Sequence, residues 1–208
     1  MKLYDYKMAP NPRRVHIFLA EKGLSYDEIG LEVITIDIGK GETFKKEFRE
    51  ISPYGGVPVL ELDDGTLISE SVAICRYFEE MYPENPLMGT DPKSKANIEM
   101  WNRRVELNLF NSVALCFRHS NPMWKNVLTQ VPEFSPVSAE NAKKQLHKLN
   151  KQLEYNEFIA GDEFSVADIT AFCAVDFAKI IRVRIDTERD PHLERWYQNM
   201  CARASVSS

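Results

Sequence analysis

Three short stretches in the first part of the chain combine residue types that could bind and polarise a small ligand. Ala9-Pro10-Asn11-Pro12-Arg13-Arg14-Val15 is a turn leading into a helix. Ser52-Pro53-Tyr54-Gly55-Gly56-Val57-Pro58-Val59-Leu60 is a loop that enters a strand through a proline. Leu67-Ile68-Ser69-Glu70-Ser71-Val72-Ala73-Ile74 turns a strand into a helix through polar residues. The first and third each set a helix N-terminus at a strand end, where unpaired N–H groups and the helix dipole favour anions. Glu70 can pair with an ammonium, and Ser71 offers a hydroxyl and an N–H to a carboxylate. The zwitterionic head of an α-amino acid would match that pair, and a simple Ser/Glu cap on a surface helix is the alternative. Pro58 opens an otherwise good strand and removes one ladder hydrogen bond. A cis Val57-Pro58 bond would turn the Val57 N–H and C=O toward a ligand, but only about 5–6% of X-Pro bonds are cis, so spacing leaves the isomer open.

The elements that must position these residues alternate. Leu3, Tyr4 and Tyr6 are strand-prone, and Val15, Phe18, Leu19 and Lys22 mark a helical stripe closed by Gly23. Asn11 before Pro12 reads as an N-cap with proline at the first helical position. Val33 to Ile36 reads as a second strand, Thr43 to Glu50 as a short helix, and Val57 to Leu62 with Leu67-Ile68 as a hairpin turning at Asp64-Gly65. Helix resumes from Ser69 to about Met81. The order βαβαββα predicts a small mixed sheet carrying helices, spanning residues 1–82. Tyr82-Pro83-Glu84-Asn85-Pro86 reads as a break, with 83–89 as linker.

Residues 90–208 read as all-helical. Asp91-Pro92 opens a helix expected to reach about Phe117, Ser138 caps another to about Glu154, and Asp190-Pro191 opens the last. Ser165-Val166-Ala167-Asp168 has the spacing of a capping box, with Phe164 and Ile169 placed for a hydrophobic staple. Asp168 is therefore assigned to structure.

Composition excludes several function classes. The 208 residues carry a formal net charge of −5, and residues 1–89 hold 16 acids against 10 bases. A nucleic-acid binder needs a concentrated basic surface, which is absent from this pattern. No apolar run approaches the roughly 18 residues of a spanning helix, and the first residues lack a secretory apolar core. Cys75, Cys116, Cys173 and Cys201 form no CxxC pair, and His16, His119, His147 and His192 show no metal-ligand spacing. These features predict a cytoplasmic protein without metal, disulfide or membrane partner.

Val57-Pro58, Glu70-Ser71 and the Phe164-to-Asp168 box, in this order and followed by a helical half, resemble the cytosolic glutathione transferase family. The likeness covers nearly the whole chain. It implies a thioredoxin-like first domain that binds glutathione, a helical second domain lining the co-substrate pocket, and a homodimer. By resemblance, the Val57 backbone beside a cis Pro58 pairs with the cysteinyl part of glutathione, and Glu70 and Ser71 hold the γ-glutamyl head. Activity would then be attack of the glutathione thiolate on a small electrophile, a detoxification reaction.

Two positions depart from the family pattern. A theta-like alignment on Arg13-Arg14-Val15 puts Ala9 where a catalytic serine would stand, and Ala9 donates nothing. Asn11 is the catalytic candidate in its place, since some bacterial and fungal members resemble this arrangement. Tyr4 and Tyr6 are the nearest hydroxyls, in a strand where a sheet role is the simpler reading. An unperturbed thiol has a pKa near ~8.5, and lowering it by about 2 units requires roughly 2.7 kcal/mol. One charge-assisted amide hydrogen bond supplies about 1.5–3 kcal/mol, and a helix end about 0.3–1. The second departure is Gly56, which lacks the side chain that often reaches the glycyl carboxylate; Lys40 or Thr43 is the candidate anchor.

The second substrate is less legible. Phe110, Leu115, Phe117 and Trp124 could line an apolar pocket, and Arg103, Arg104, Lys179, Arg182 and Arg184 could favour an anion, although core and surface roles explain both sets. Glutathione-dependent disulfide or peroxide reduction and a non-catalytic partner-binding module remain as alternatives.

Overall fold

The computed structural model describes residues 1–206. Two compact units divide after Leu87. The first contains β1 (Lys2–Asp5), α1 (Pro10–Glu21), β2 (Glu32–Thr35), α2 (Lys46–Ile51), β3 (Val59–Glu61), β4 (Leu67–Ser69) and α3 (Ser71–Met81). The strands lie in the order β2-β1-β3-β4, with β1 and β2 parallel and the other pairs antiparallel. A parallel neighbour demands a crossover, and α1 provides it. Leu3, Val59 and Leu60 on the sheet are fully covered, as are Val15, Phe18 and Leu19 of α1 and Ile74 and Phe78 of α3. This is the mixed sheet carrying helices that the residue pattern predicts, in the thioredoxin-like arrangement that the resemblance implies.

One boundary differs. Helix α1 begins at Pro10, and the N-cap is Ala9, in extended backbone at φ −87 and ψ 142 with no side-chain cap. Asn11 is therefore inside the first turn, and the reading of it as N-cap is corrected. Pro10 suits the first helical position because its fixed φ is already helical, and Pro12 still falls where helical N–H groups have no partner.

A buried ion pair ties the helices together behind the sheet. The Lys22 ammonium, fully buried, donates to Glu79 Oε2 at 2.8 Å and to the carbonyls of Glu84 and Asn85 at 2.8 and 3.2 Å. Glu79 Oε1 accepts the Leu87 N–H at 2.9 Å. All three ammonium protons and both carboxylate oxygens are engaged, which is the condition under which a buried pair is tolerated.

The second unit contains α4 (Pro92–Arg104), a π-helical turn (Val105–Phe110), α5 (Asn111–Ser120), α6 (Phe134–Leu153), α7 (Val166–Ala178) and α8 (Pro191–Cys201). Asp91 caps α4 as expected, accepting from Lys93 N and Ser94 N while Ser94 Oγ accepts from Asp91 N at 3.1 Å. Two other caps are corrected. Helix α6 starts at Phe134, so Ser138 lies buried within it, and Pro136 occupies the first turn without breaking a bond. Asp190 is the N-cap of α8 by position, but its carboxylate is bound to His147 Nδ1 at 2.6 Å. Asn150 of α6 caps α8 instead, its Oδ1 accepting from His192 N at 2.9 Å and Leu193 N at 3.0 Å.

Helix α7 is the centre of this unit, with every residue from Val166 to Val175 buried. Asp168 is fully buried and accepts four hydrogen bonds, from Ile159 N, Trp196 Nε1, Ser165 N and Ser165 Oγ, at 2.9 to 3.1 Å. Its role is structural.

Candidate active site

Strand register brings the three polar stretches to one end of the sheet. Tyr4 faces Val59 and Val59 faces Ser69, both antiparallel, so the residues after Tyr4, before Val59 and after Ser69 leave at the same edge. The first residues of α1, the Val57-Pro58 pair and the Glu70-Ser71 pair all lie there. Strand β2 runs parallel to β1 and ends at that edge too, with Ile36 N bonded to Asp5 O at 2.7 Å.

The Val57-Pro58 peptide bond is cis. No described backbone group takes the Val57 N–H or C=O, because the ladder begins only at Val59. Val57 itself is nearly covered, so its main chain is a short length of edge held by a buried side chain. That is an open site for one residue of an extended peptide.

Glu70 precedes α3 at φ 72 and ψ 119, a conformation that non-glycine residues avoid at a cost of about 1–3 kcal/mol. Such strain persists where the surroundings over-determine it, and here the turn leaves the Glu70 side chain exposed while burying Ser71 to 5%. Ser71 Oγ accepts from Arg14 Nη1 at 3.4 Å. With that lone pair engaged, the hydroxyl proton is free to donate outward to an anion. Arg14 is itself 2% exposed. A buried guanidinium behind Ser71 adds positive potential at the first turn of α3, within an otherwise acidic unit. Sequence reasoning used Arg14 only to anchor an alignment, because an Arg-Arg pair at a helix start reads as solvated surface.

Asn11 is half-buried at the second position of α1, and its amide makes no hydrogen bond among the described residues. Tyr4 is committed elsewhere: its hydroxyl donates to Glu61 Oε2 at 2.5 Å, and that bond pushes the phenol up to about 12. It belongs to the β1–β3 pair. Lys40 is exposed and paired with Asp37 at 3.2 Å, and the hydrogen bonds it makes there hold the Asp37 carboxyl below its usual range. Thr43 is buried.

In the second unit, Phe177 lies 5.8 Å from Phe110 and 5.5 Å from Phe117, ring centre to ring centre, and Trp124 packs edge-on against Phe117 at 6.3 Å. Phe110, Phe117 and Trp124 thus form one aromatic cluster, joined by a Phe177 that sequence reasoning passed over as part of an apolar helix. Three of the five cations considered for an anionic substrate have other partners: Arg103 bridges Glu99 and Glu106 at 2.8 Å each, Arg104 stacks on Trp101, and Lys179 pairs with Asp176. Among the described residues no His, Cys, Asp and Glu group could hold a metal ion, and no helix is long and apolar enough to cross a membrane.

Residues 9–81 match the family model "Glutathione S-transferase, N-terminal domain" and residues 132–204 match "Glutathione S-transferase, C-terminal domain". The chain belongs to the glutathione S-transferase family. Among its relatives is Glutathione S-transferase 2 of Saccharomyces cerevisiae, 38% identical over 208 residues, covering 99% of this chain and 88% of the relative. The crystal structure of Gtt2 from Saccharomyces cerevisiae superposes with a TM-score of 0.92 at 38% identity, covering 100% of this chain and 99% of that one. A glutathione S-transferase domain-containing protein from Marinobacter aquaeolei superposes with a TM-score of 0.91 at 39% identity, covering 99% and 100%.

Proposed function

We propose that this protein is a glutathione transferase that binds glutathione on its first unit and presents the thiolate to a small electrophile. The observation that carries this reading is the convergence, at one sheet edge, of the free Val57 main chain, the Arg14-backed Ser71 and the start of α1. The cysteinyl residue pairs with Val57. Ser71 donates to the γ-glutamyl carboxylate, and Glu70, exposed on its strained turn, accepts from the ammonium. Asn11 donates its amide to the thiolate, aided by the unpaired N–H groups of α1. The proton leaves to solvent, and the thiolate displaces or adds to the electrophile, forming a carbon–sulfur bond.

Calorimetric titration with glutathione tests the reading. Binding in the micromolar to millimolar range, with conjugate detected by mass spectrometry, supports it; no heat at millimolar glutathione refutes it. A module that only binds protein partners has no use for an ammonium- and carboxylate-matching pair, and the intact Glu70 and Ser71 weigh against it.

We assign the protein to the cytoplasm, consistent with the wide spacing of Cys75, Cys116, Cys173 and Cys201, which form no CxxC pair. We also assign it a homodimeric state, for which the exposed apolar side chains Leu67, Met81 and Met100 offer surface. A monomer mass in light scattering would contradict the latter.

A further inference from the structure

His16 has no metal-ligand spacing, yet it stands at the centre of a relay that glutathione binding does not use. Its Nε2 meets Asp5 Oδ1 at 2.9 Å, and its Nδ1 is hydrogen-bonded to the Tyr26 hydroxyl. Asp5 ends β1 and is 3% exposed, His16 lies in the middle of α1, and Tyr26 belongs to the connection from α1 to β2. A carboxylate can only accept, so in the neutral imidazole Nε2 carries the proton and Nδ1 accepts from Tyr26. The Tyr26 oxygen has thereby spent its proton inward, and toward any other group it can only accept. Burial first, and the Asp5 charge second, raise the phenol above its ordinary pKa, so it stays a neutral acceptor.

A cleft of about 560 Å³ is lined by all three members of this relay. That volume is within the range of small-molecule sites, about 300–1,000 Å³. Ala20, Leu24 and Val33 give the cleft an apolar wall. Lys7 also lines it; this lysine is exposed and makes no ion pair with any described residue. None of Asn11, Val57, Glu70 and Ser71 borders the cleft. It lies on the side of β2, one edge of the sheet, whereas Glu70 and Ser71 follow β4 at the other.

We propose that this cleft is a second ligand site, for a small apolar carboxylic acid that carries a hydroxyl group. The carboxylate pairs with Lys7, the apolar body covers Ala20, Leu24 and Val33, and the hydroxyl donates to the Tyr26 oxygen. A ligand with acceptors alone finds no partner at Tyr26, and a cationic one meets Lys7. In an acidic unit an anion needs a local cation, and Lys7 is free to serve. Asp5 fixes the His16 ring and His16 fixes the Tyr26 hydroxyl, so the acceptor is already oriented before a ligand arrives. The site stands whether or not glutathione occupies the other edge of the sheet.

Calorimetry on the full chain with 4-hydroxycinnamate tests the proposal, with and without saturating S-hexylglutathione to fill the proposed active site. The probe should bind equally in both conditions. Cinnamate, which lacks the hydroxyl, should bind about tenfold more weakly, the size of one hydrogen bond. The methyl ester of the probe, which lacks the charge, should lose about threefold, since Lys7 is exposed. Tyr26→Phe should abolish the preference over cinnamate and keep that over the ester, and Lys7→Met should do the reverse. A merely structural relay would lower both affinities in Tyr26→Phe and leave their ratio unchanged. Lys7→Met, at an exposed position, decides the assignment if Tyr26→Phe does not fold. No heat at millimolar probe, displacement by S-hexylglutathione, or a charge preference that survives Lys7→Met overturns the site.

Discussion

Asn11 presents a half-buried amide at the second position of α1 that no described group engages. In the proposed complex, a donor so placed favours the charged form of the glutathione thiol, whereas the Ala9 N-cap contributes only main chain. Asn11→Ala should therefore raise the pKa of bound glutathione by about 1–2 units, the equivalent of one hydrogen bond to a charged group. Thiolate absorbance followed against pH reads this directly, and an unmoved titration would reduce Asn11 to a helix residue. In the proposed complex, Ser71 and Arg14 address the other end of the same ligand. Ser71→Ala and Arg14→Met should each weaken glutathione binding about tenfold while leaving the thiol titration in place. Because both address one carboxylate, the double variant should lose less than the product of the two. Strict additivity would mean that Arg14 does not work through Ser71.

Helices and strands hold these residues through contacts that local sequence does not announce. The buried Lys22–Glu79 pair joins the end of α1 to the end of α3 and seizes the carbonyls of Glu84 and Asn85. Lys22→Met should cost about 3–5 kcal/mol in urea unfolding, since Glu79 would stay buried after losing the ammonium that faces it. The double variant Lys22→Met with Glu79→Leu should recover most of that loss, leaving chiefly the unpartnered Leu87 N–H. Equal destabilisation of single and double variants would show that the pair's worth lies in its hydrogen bonds to the chain, not in its charge balance. Lys22 illustrates the limit of reading by pattern. The alternation of strands and helices, the Asp91 cap and the Ser165–Asp168 box are local signals, and their residues are neighbours in sequence. The Asn150 cap of α8 and the Arg14–Ser71 contact join residues between 42 and 57 positions apart. In sequence, Lys22 is marked only by its place on the stripe with Val15, Phe18 and Leu19, and Arg14 carries no local sign of its burial; only packing decides both. The start of α1 was misread for a different reason, since Pro10 and Pro12 are both acceptable first-turn residues and the pattern alone does not choose between them.

Across the whole molecule, the two units answer acid differently. The first unit's carboxylates Asp37, Glu42, Glu61 and Asp64 are held below their usual range by hydrogen bonds from the chain and nearby side chains. Depressed groups of this kind support the fold above the ordinary carboxylate pKa, and that support is lost only as the pH falls through their lowered values. They are therefore silent between pH 7 and pH 5. Asp168, in the core of the second unit, behaves oppositely. Burial pushes its carboxyl up to about 6, against the pull of its four donors. A raised folded-state pKa means that the native form takes up a proton before the unfolded form does. Its contribution is full below about pH 4 and fades as the pH rises through 6, so acidification from pH 7 to pH 5 should add about 1 kcal/mol to the stability of the helical unit. Asp168→Asn removes the titration while keeping size and polarity, and it surrenders an acceptor to the Ser165, Ile159 and Trp196 donors. The stability gap between wild type and Asp168→Asn, measured by urea unfolding, should therefore widen by about 1 kcal/mol between pH 7 and pH 5. A gap that stays constant would mean that the four donors outweigh burial and leave Asp168 ionised throughout that interval.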